Sequence, residues 1–167
     1  MIMTIIAIIM ALLPFAALFL PLATFSVKII LLGETVTQLN IIEMIKMLTD
    51  ESNELFTRYY ESELFDDARP WLIAAVAALV LCVAAMLIGL ALCCFKKKSL
   101  LAAASGAYSL SALSGIAWAI CFPAFGKALE DNLLFSVNSA LRWGSVALIV
   151  LLAVNAGLCW YRRTKES

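Results

Sequence analysis

The chain has 167 residues, 64% of them hydrophobic, and a mean hydropathy of +0.99, which takes it outside the soluble range and makes the bilayer its solvent. Twelve basic and twelve acidic side chains cancel, so there is no broad basic surface of the kind a nucleic-acid partner needs. Histidine is absent, which removes the commonest metal ligand and the commonest general base at neutral pH; neither a cofactor nor catalysis is expected.

The first apolar run, Met1 to Thr24, contains no Lys or Arg and is longer than the apolar part of a secretory signal, so it reads as an uncleaved span over about 3–24. Pro14 predicts a kink in it, and Pro21 an end to its regular part. The pattern then changes to β-branched and aromatic residues. Phe25–Leu32 and Thr35–Leu39 are expected to form a hairpin, with Gly33-Glu34 as its two-residue turn.

From Asn40 the period becomes helical. Asn40 followed by Glu43 resembles a capping box, and Ile41, Ile45, Leu48, Leu55 and Tyr59 fall on one apolar face that must cover the hairpin, lipid or a partner. Charge is concentrated here: nine carboxylates against four bases lie between Ser26 and Arg69.

Trp71 to Phe95 runs 25 residues without a charge and ends on Lys96-Lys97-Lys98, the mark of a cytoplasmic boundary. A third span over about 100–122, closed by Pro123, is built largely of Ala, Gly and Ser. Ala102 with Gly106, and Ser111 with Gly115, are spaced for close helix packing. A fourth span over about 139–161 ends in Arg162, Arg163 and Lys165. Its Asn155, a polar group in hydrocarbon, needs a partner, for which Ser105 or Tyr108 lie at a suitable depth. Between these two spans, Phe135-Ser136-Val137 echoes Phe25-Ser26-Val27 and makes a short strand beside the hairpin possible.

The chain therefore reads as all-α transmembrane, a single membrane domain over 1–167: a four-helix membrane bundle with a small extracytoplasmic β-hairpin plus amphipathic helix, and outer loops at 25–70 and 123–138. Six bases fall on each side, but the inner six are crowded into two short segments, so both termini are expected to be cytoplasmic in a multi-pass cell-membrane protein. Cys93, Cys94 and Cys159 sit at the inner headgroup level, where S-palmitoylation is a candidate modification.

Two chemistries find no support. A disulfide-forming oxidoreductase needs a C-x-x-C pair, whereas Cys93 and Cys94 are adjacent; a proton-coupled antiporter needs an intramembrane carboxylate, and no expected span has one.

The topology, with inner termini, a large first outer loop, a tiny inner turn and a smaller second outer loop, is similar to the claudin and peripheral-myelin-protein type of tetraspan. The resemblance implies an outer sheet carried on a left-handed four-helix bundle. The family's first-loop signature of Trp, Gly-Leu-Trp and two cysteines is absent, since neither Trp nor Cys occurs before Pro70, so the resemblance concerns architecture alone. The functional expectation is a non-catalytic accessory or scaffold subunit whose partners are the lipid bilayer and another membrane protein or itself. A subunit of an oligomeric channel or transporter, lined by Ser105, Ser109, Ser111, Ser114 and Asn155, is the alternative.

Overall fold

A computed structural model describes residues 2–29, 33–43, 67–95, 97–130 and 135–165. In chain order the elements are α1 (Ile2–Leu18), β1 (Ala23–Ile29), β2 (Gly33–Leu39), α2 (Arg69–Cys93), α3 (Lys98–Glu130), β3 (Phe135–Leu141) and α4 (Trp143–Lys165). They divide into two compact units. One comprises Met1–Ala17, Ala77–Ala117 and Val146–Ser167; the other comprises Leu18–Val76 and Trp118–Ser145.

Each helix buries one narrow stripe at alternating steps of three and four. On α4 the stripe is Ser145, Leu148, Leu152, Asn155, Cys159 and Arg162; on α3 it runs Leu101, Ala104, Tyr108, Ser111, Gly115, Trp118, Phe122 and Phe125. That spacing is the seam of helices packed at a shallow angle. The opposite faces are no less apolar: Val80, Ile88, Leu113, Ile120 and Val150 are all exposed. A helix apolar all round, with only a seam covered, is built for hydrocarbon rather than water. Among the described residues α2, α3 and α4 are long and apolar enough to cross a membrane, while α1 is as apolar but shorter, at 17 residues.

Several boundaries differ from the sequence expectation, for local reasons. The first helix ends at Leu18, ahead of Pro21, because the chain turns into β1 from Ala23. In the hairpin, Ala23 pairs with Leu39 and Ile29 with Gly33, so Gly33 and Glu34 belong to β2 and the connection falls at 30–32, outside the described residues. Burial sets this register. Ala23 and Leu39 are both buried at the base of the sheet, and a turn at Gly33-Glu34 would move Leu39 opposite Lys28.

The strand suggested by Phe135-Ser136-Val137 is present, and Val137 lies opposite Val27 in an antiparallel β1–β3 pair. The sheet order is β2-β1-β3. Because β3 continues to Leu141, residues 139–141 are strand and the last helix begins only at Trp143.

Pro123 does not close α3, which continues to Glu130. Proline removes one helical hydrogen bond, yet the residues around it are anchored: Trp118 stacks on Phe122 with ring centroids 5.6 Å apart, and Phe125 stacks on Phe25 of β1 at 6.2 Å. Phe125 and Ala68 form a buried cluster joined by Phe25, Leu72, Ala128 and Leu129. Asn40 caps the segment after β2, its Oδ1 accepting from the Glu43 N–H at 2.9 Å. Of the apolar face expected there, Ile41 is half-buried, while Ile45, Leu48, Leu55 and Tyr59 lie outside the described residues.

The junction of sheet and last helix converges on Leu22. Its N–H donates to the Leu39 carbonyl (2.9 Å), and its carbonyl accepts from the Arg142 N–H (2.9 Å) and from Ser145 Oγ. Gly144 makes this approach possible, since a Cβ there would stand 2.5 Å from the Pro21 carbonyl oxygen and 3.2 Å from Leu20 Cβ. Neither backbone can yield without breaking the Leu22 bonds. Gly144→Val is therefore expected to lower stability by about 1–3 kcal/mol, the usual range for overpacking, as read by thermal unfolding in mild detergent.

Candidate functional site: the polar seam of the first unit

In a membrane interior each unpaired backbone carbonyl is costly, because neither water nor lipid can satisfy it. Pro14 creates one. Lacking an N–H, it cannot donate to the carbonyl four residues earlier, which belongs to Met10. Asn155 supplies the missing donor: its Nδ2 lies 2.9 Å from the Met10 oxygen, and also 2.9 Å from the Leu151 carbonyl of its own helix. Pro14 and Asn155 are both fully buried.

The same device recurs at the end of α2. The last carbonyls of a helix have no partner within it, and the Cys93 carbonyl is one of these. Arg162 Nη1 donates to it at 2.9 Å, with the arginine only 2% exposed. A cation at a helix C-terminus also opposes the negative end of the helix dipole.

α3 contributes two further ties. Ser105 Oγ donates to the Ala156 carbonyl at 2.9 Å, and Ser111 Oγ donates to the Cys82 carbonyl at 2.7 Å with the Cys82 thiol at 3.4 Å. Tyr108, fully buried one turn from Ser105, sets its ring against Gly89, where a Cβ would come within 3.0 Å of the ring carbons.

Among the packing residues picked from sequence, Ser111, Gly115 and Asn155 lie in the interior of this unit. A Cβ on Gly115 would meet Ile149 Cγ1 at 3.2 Å. Ala102 is half-buried. Gly106 is exposed, with nothing within 4 Å of where its Cβ would be, because a separation of nine positions from Gly115 places it on the opposite side of the helix. The small residues of α3 thus divide between two faces. Neither Ser105 nor Tyr108 is the partner of Asn155, which reaches the Met10 carbonyl instead; the readable signal was Pro14, whose position names the carbonyl it frees.

Of the three cysteines considered for lipidation, Cys93 and Cys159 are buried, and Cys94 is the exposed one. Cys93 and Cys94 both donate to the Leu90 carbonyl, at 3.2 and 3.4 Å. Among the described residues no group of three or more His, Cys, Asp or Glu is placed to hold a metal ion.

No protein-family model matches the chain, and no curated protein sequence matches it either. The class follows from the structure: a membrane-embedded helical protein with a small three-stranded sheet, in which Ser105, Ser111, Asn155 and Arg162 are directed to backbone carbonyls.

A double-mutant cycle tests the central pair. Asn155→Leu strands the Met10 carbonyl and is expected to cost about 0.6–2 kcal/mol in a native background. In a Pro14→Ala background residue 14 regains an N–H for that carbonyl, and the cost of Asn155→Leu should fall to less than half. Reversible unfolding in mixed micelles measures both; equal costs in the two backgrounds would refute the pairing.

Proposed function

We propose that the chain is a non-catalytic, four-span integral membrane protein that acts as an accessory or scaffold subunit of a membrane complex, with the inner ends of α1 and α4 cytoplasmic. One observation carries this reading. The buried polar side chains Ser105, Ser111, Asn155 and Arg162 all end on backbone carbonyls of the same unit, so they tie helices together instead of lining a path or a reaction site. Chemistry directed outward is then a matter of surfaces.

Support for α1 as the fourth span comes from its pattern. Ala7, Ala11, Pro14 and Leu18 are buried, while Ile5, Ile6, Ile9, Leu12 and Leu13 are exposed, the one-sided burial seen on the other three helices. Its 17 residues measure about 25 Å, enough for a thin hydrocarbon layer. Support for the orientation comes from Lys97 and Lys98 after α2 and from Arg163 and Lys165 at the end of α4. The outward turn of Gly106 on α3 leaves a small-residue position that packing within the unit does not use, as contact with another membrane helix requires.

The alternative, a subunit of an oligomeric channel or transporter, draws less support. Of its five lining candidates, Ser105, Ser111 and Asn155 are bonded to carbonyls, Ser114 is buried and Ser109 alone is exposed.

Light crosslinking in native membranes, followed by mild-detergent purification and mass spectrometry, tests the reading: a stoichiometric second protein is expected, and a lone monomer would sink it. Orientation is checked separately. In a Cys121→Ser background a membrane-impermeant maleimide should label the exposed Cys94 only after the cytoplasmic face is opened.

A further inference from the structure

The lipid-facing surface carries its own ruler. On α4 the exposed positions between Trp143 and Trp160 are Val146, Val150, Ala153, Val154 and Gly157, all apolar. Each end of that stretch is an interfacial anchor. Trp143 is 62% exposed and follows the exposed Arg142; Trp160 is 54% exposed, beside the exposed Tyr161, and the Arg163 guanidinium lies 4.7 Å over its ring. Along the axis of this one helix the 17 residue steps from Trp143 to Trp160 rise about 26 Å at 1.5 Å per residue.

Length acts asymmetrically in a bilayer. A helix longer than the hydrocarbon layer tilts, whereas a shorter one cannot stretch, so the bilayer must thin or the anchors must leave the interface. α2, at about 33 Å from Trp71 to Cys93, can tilt to fit a thinner layer. The shortest span anchored at both ends therefore sets the limit, and tilt of α4 itself only lowers it.

We propose that this surface is matched to phospholipid bilayers whose hydrocarbon layer is about 26 Å or less, thinner than the roughly 30 Å average and well below the roughly 32–33 Å of sterol-rich and sphingolipid-rich membranes. The proposal rests on the membrane-spanning reading above and adds the kind of membrane. Its partner is the acyl-chain layer of a thin membrane, and anchoring at Trp143 and Trp160 makes the preference specific.

The test uses the full chain reconstituted in phosphatidylcholine vesicles with myristoleoyl, palmitoleoyl, oleoyl, eicosenoyl or erucoyl chains. Flotation on a density gradient reports insertion. Quenching of tryptophan fluorescence by brominated lipid of each length, in competition with the oleoyl lipid, reports relative lipid affinity. Affinity is expected to be highest for the myristoleoyl and palmitoleoyl lipids and to fall roughly threefold or more by erucoyl. A flat profile, or a maximum at eicosenoyl or longer, overturns the thickness proposal while leaving insertion intact. Failure to float with vesicles of any chain length overturns the membrane-spanning reading instead. Trp143→Leu with Trp160→Leu, in a Trp118→Phe background so that the exposed Trp71 alone reports, should flatten the profile; an unchanged maximum would overturn the role given to the two anchors.

Discussion

One backbone carbonyl, that of Met10, explains much of how the first unit is put together. Pro14 deprives it of its helical donor, and with Pro14 and Asn155 both buried no solvent is at hand to replace that donor. Asn155 answers from α4 at 2.9 Å. An asparagine alone in hydrocarbon would be a liability, as would a proline alone; together each removes the cost of the other. The pairing also fixes the register of α1 on α4, because sliding either helix by one residue separates the amide from the oxygen.

The rest of α4 repeats the arrangement. Ser145, Asn155 and Arg162 lie on its buried stripe, and each donates to a carbonyl that regular structure leaves open: Leu22 between a helix and a strand, Met10 below a proline, Cys93 at a helix end. Side-chain to backbone bonds suit this environment. A carbonyl cannot be moved away from hydrocarbon by choosing another rotamer, so a donor placed against it gives a net gain where two flexible side chains would find other partners. Small residues complete the packing, with Gly144 at the Leu22 junction and Gly89 beneath the Tyr108 ring.

The helices of the fold were readable because their signal is dense. Uninterrupted apolar runs with aromatic and basic ends leave few alternatives, and Phe135-Ser136-Val137 pointed to a strand that does pair beside Val27. What was not readable depends on partners distant in the chain. Gly33-Glu34 has the composition of a turn, but the burial of Ala23 against Leu39 places the turn elsewhere. Pro123 has the look of a stop, yet stacked aromatic rings on either side of it carry α3 onward. Small residues on α3 suggested one packing face, whereas counting nine residues from Gly106 to Gly115 separates them onto two. Depth alone points Asn155 to Ser105 or Tyr108, whereas the stronger clue in the sequence is the donor that Pro14 lacks, which frees the Met10 carbonyl.

Two kinds of glycine on α3 bear on what the outer surface is for. Gly115 is small because Ile149 leaves no room, so its lack of a side chain is accounted for within the unit. Gly106 has open space around it, and in a helix interior glycine costs about 1 kcal/mol relative to alanine. Lipid chains gain nothing from the missing methyl, since they mould equally well to Ala or Leu. A facing helix does gain, because the backbones then approach closely enough for extended van der Waals contact. On the reading proposed above, that outward glycine is where a partner helix would pack, while Ser105, Ser111, Asn155 and Arg162 each donate to a carbonyl inside their own unit.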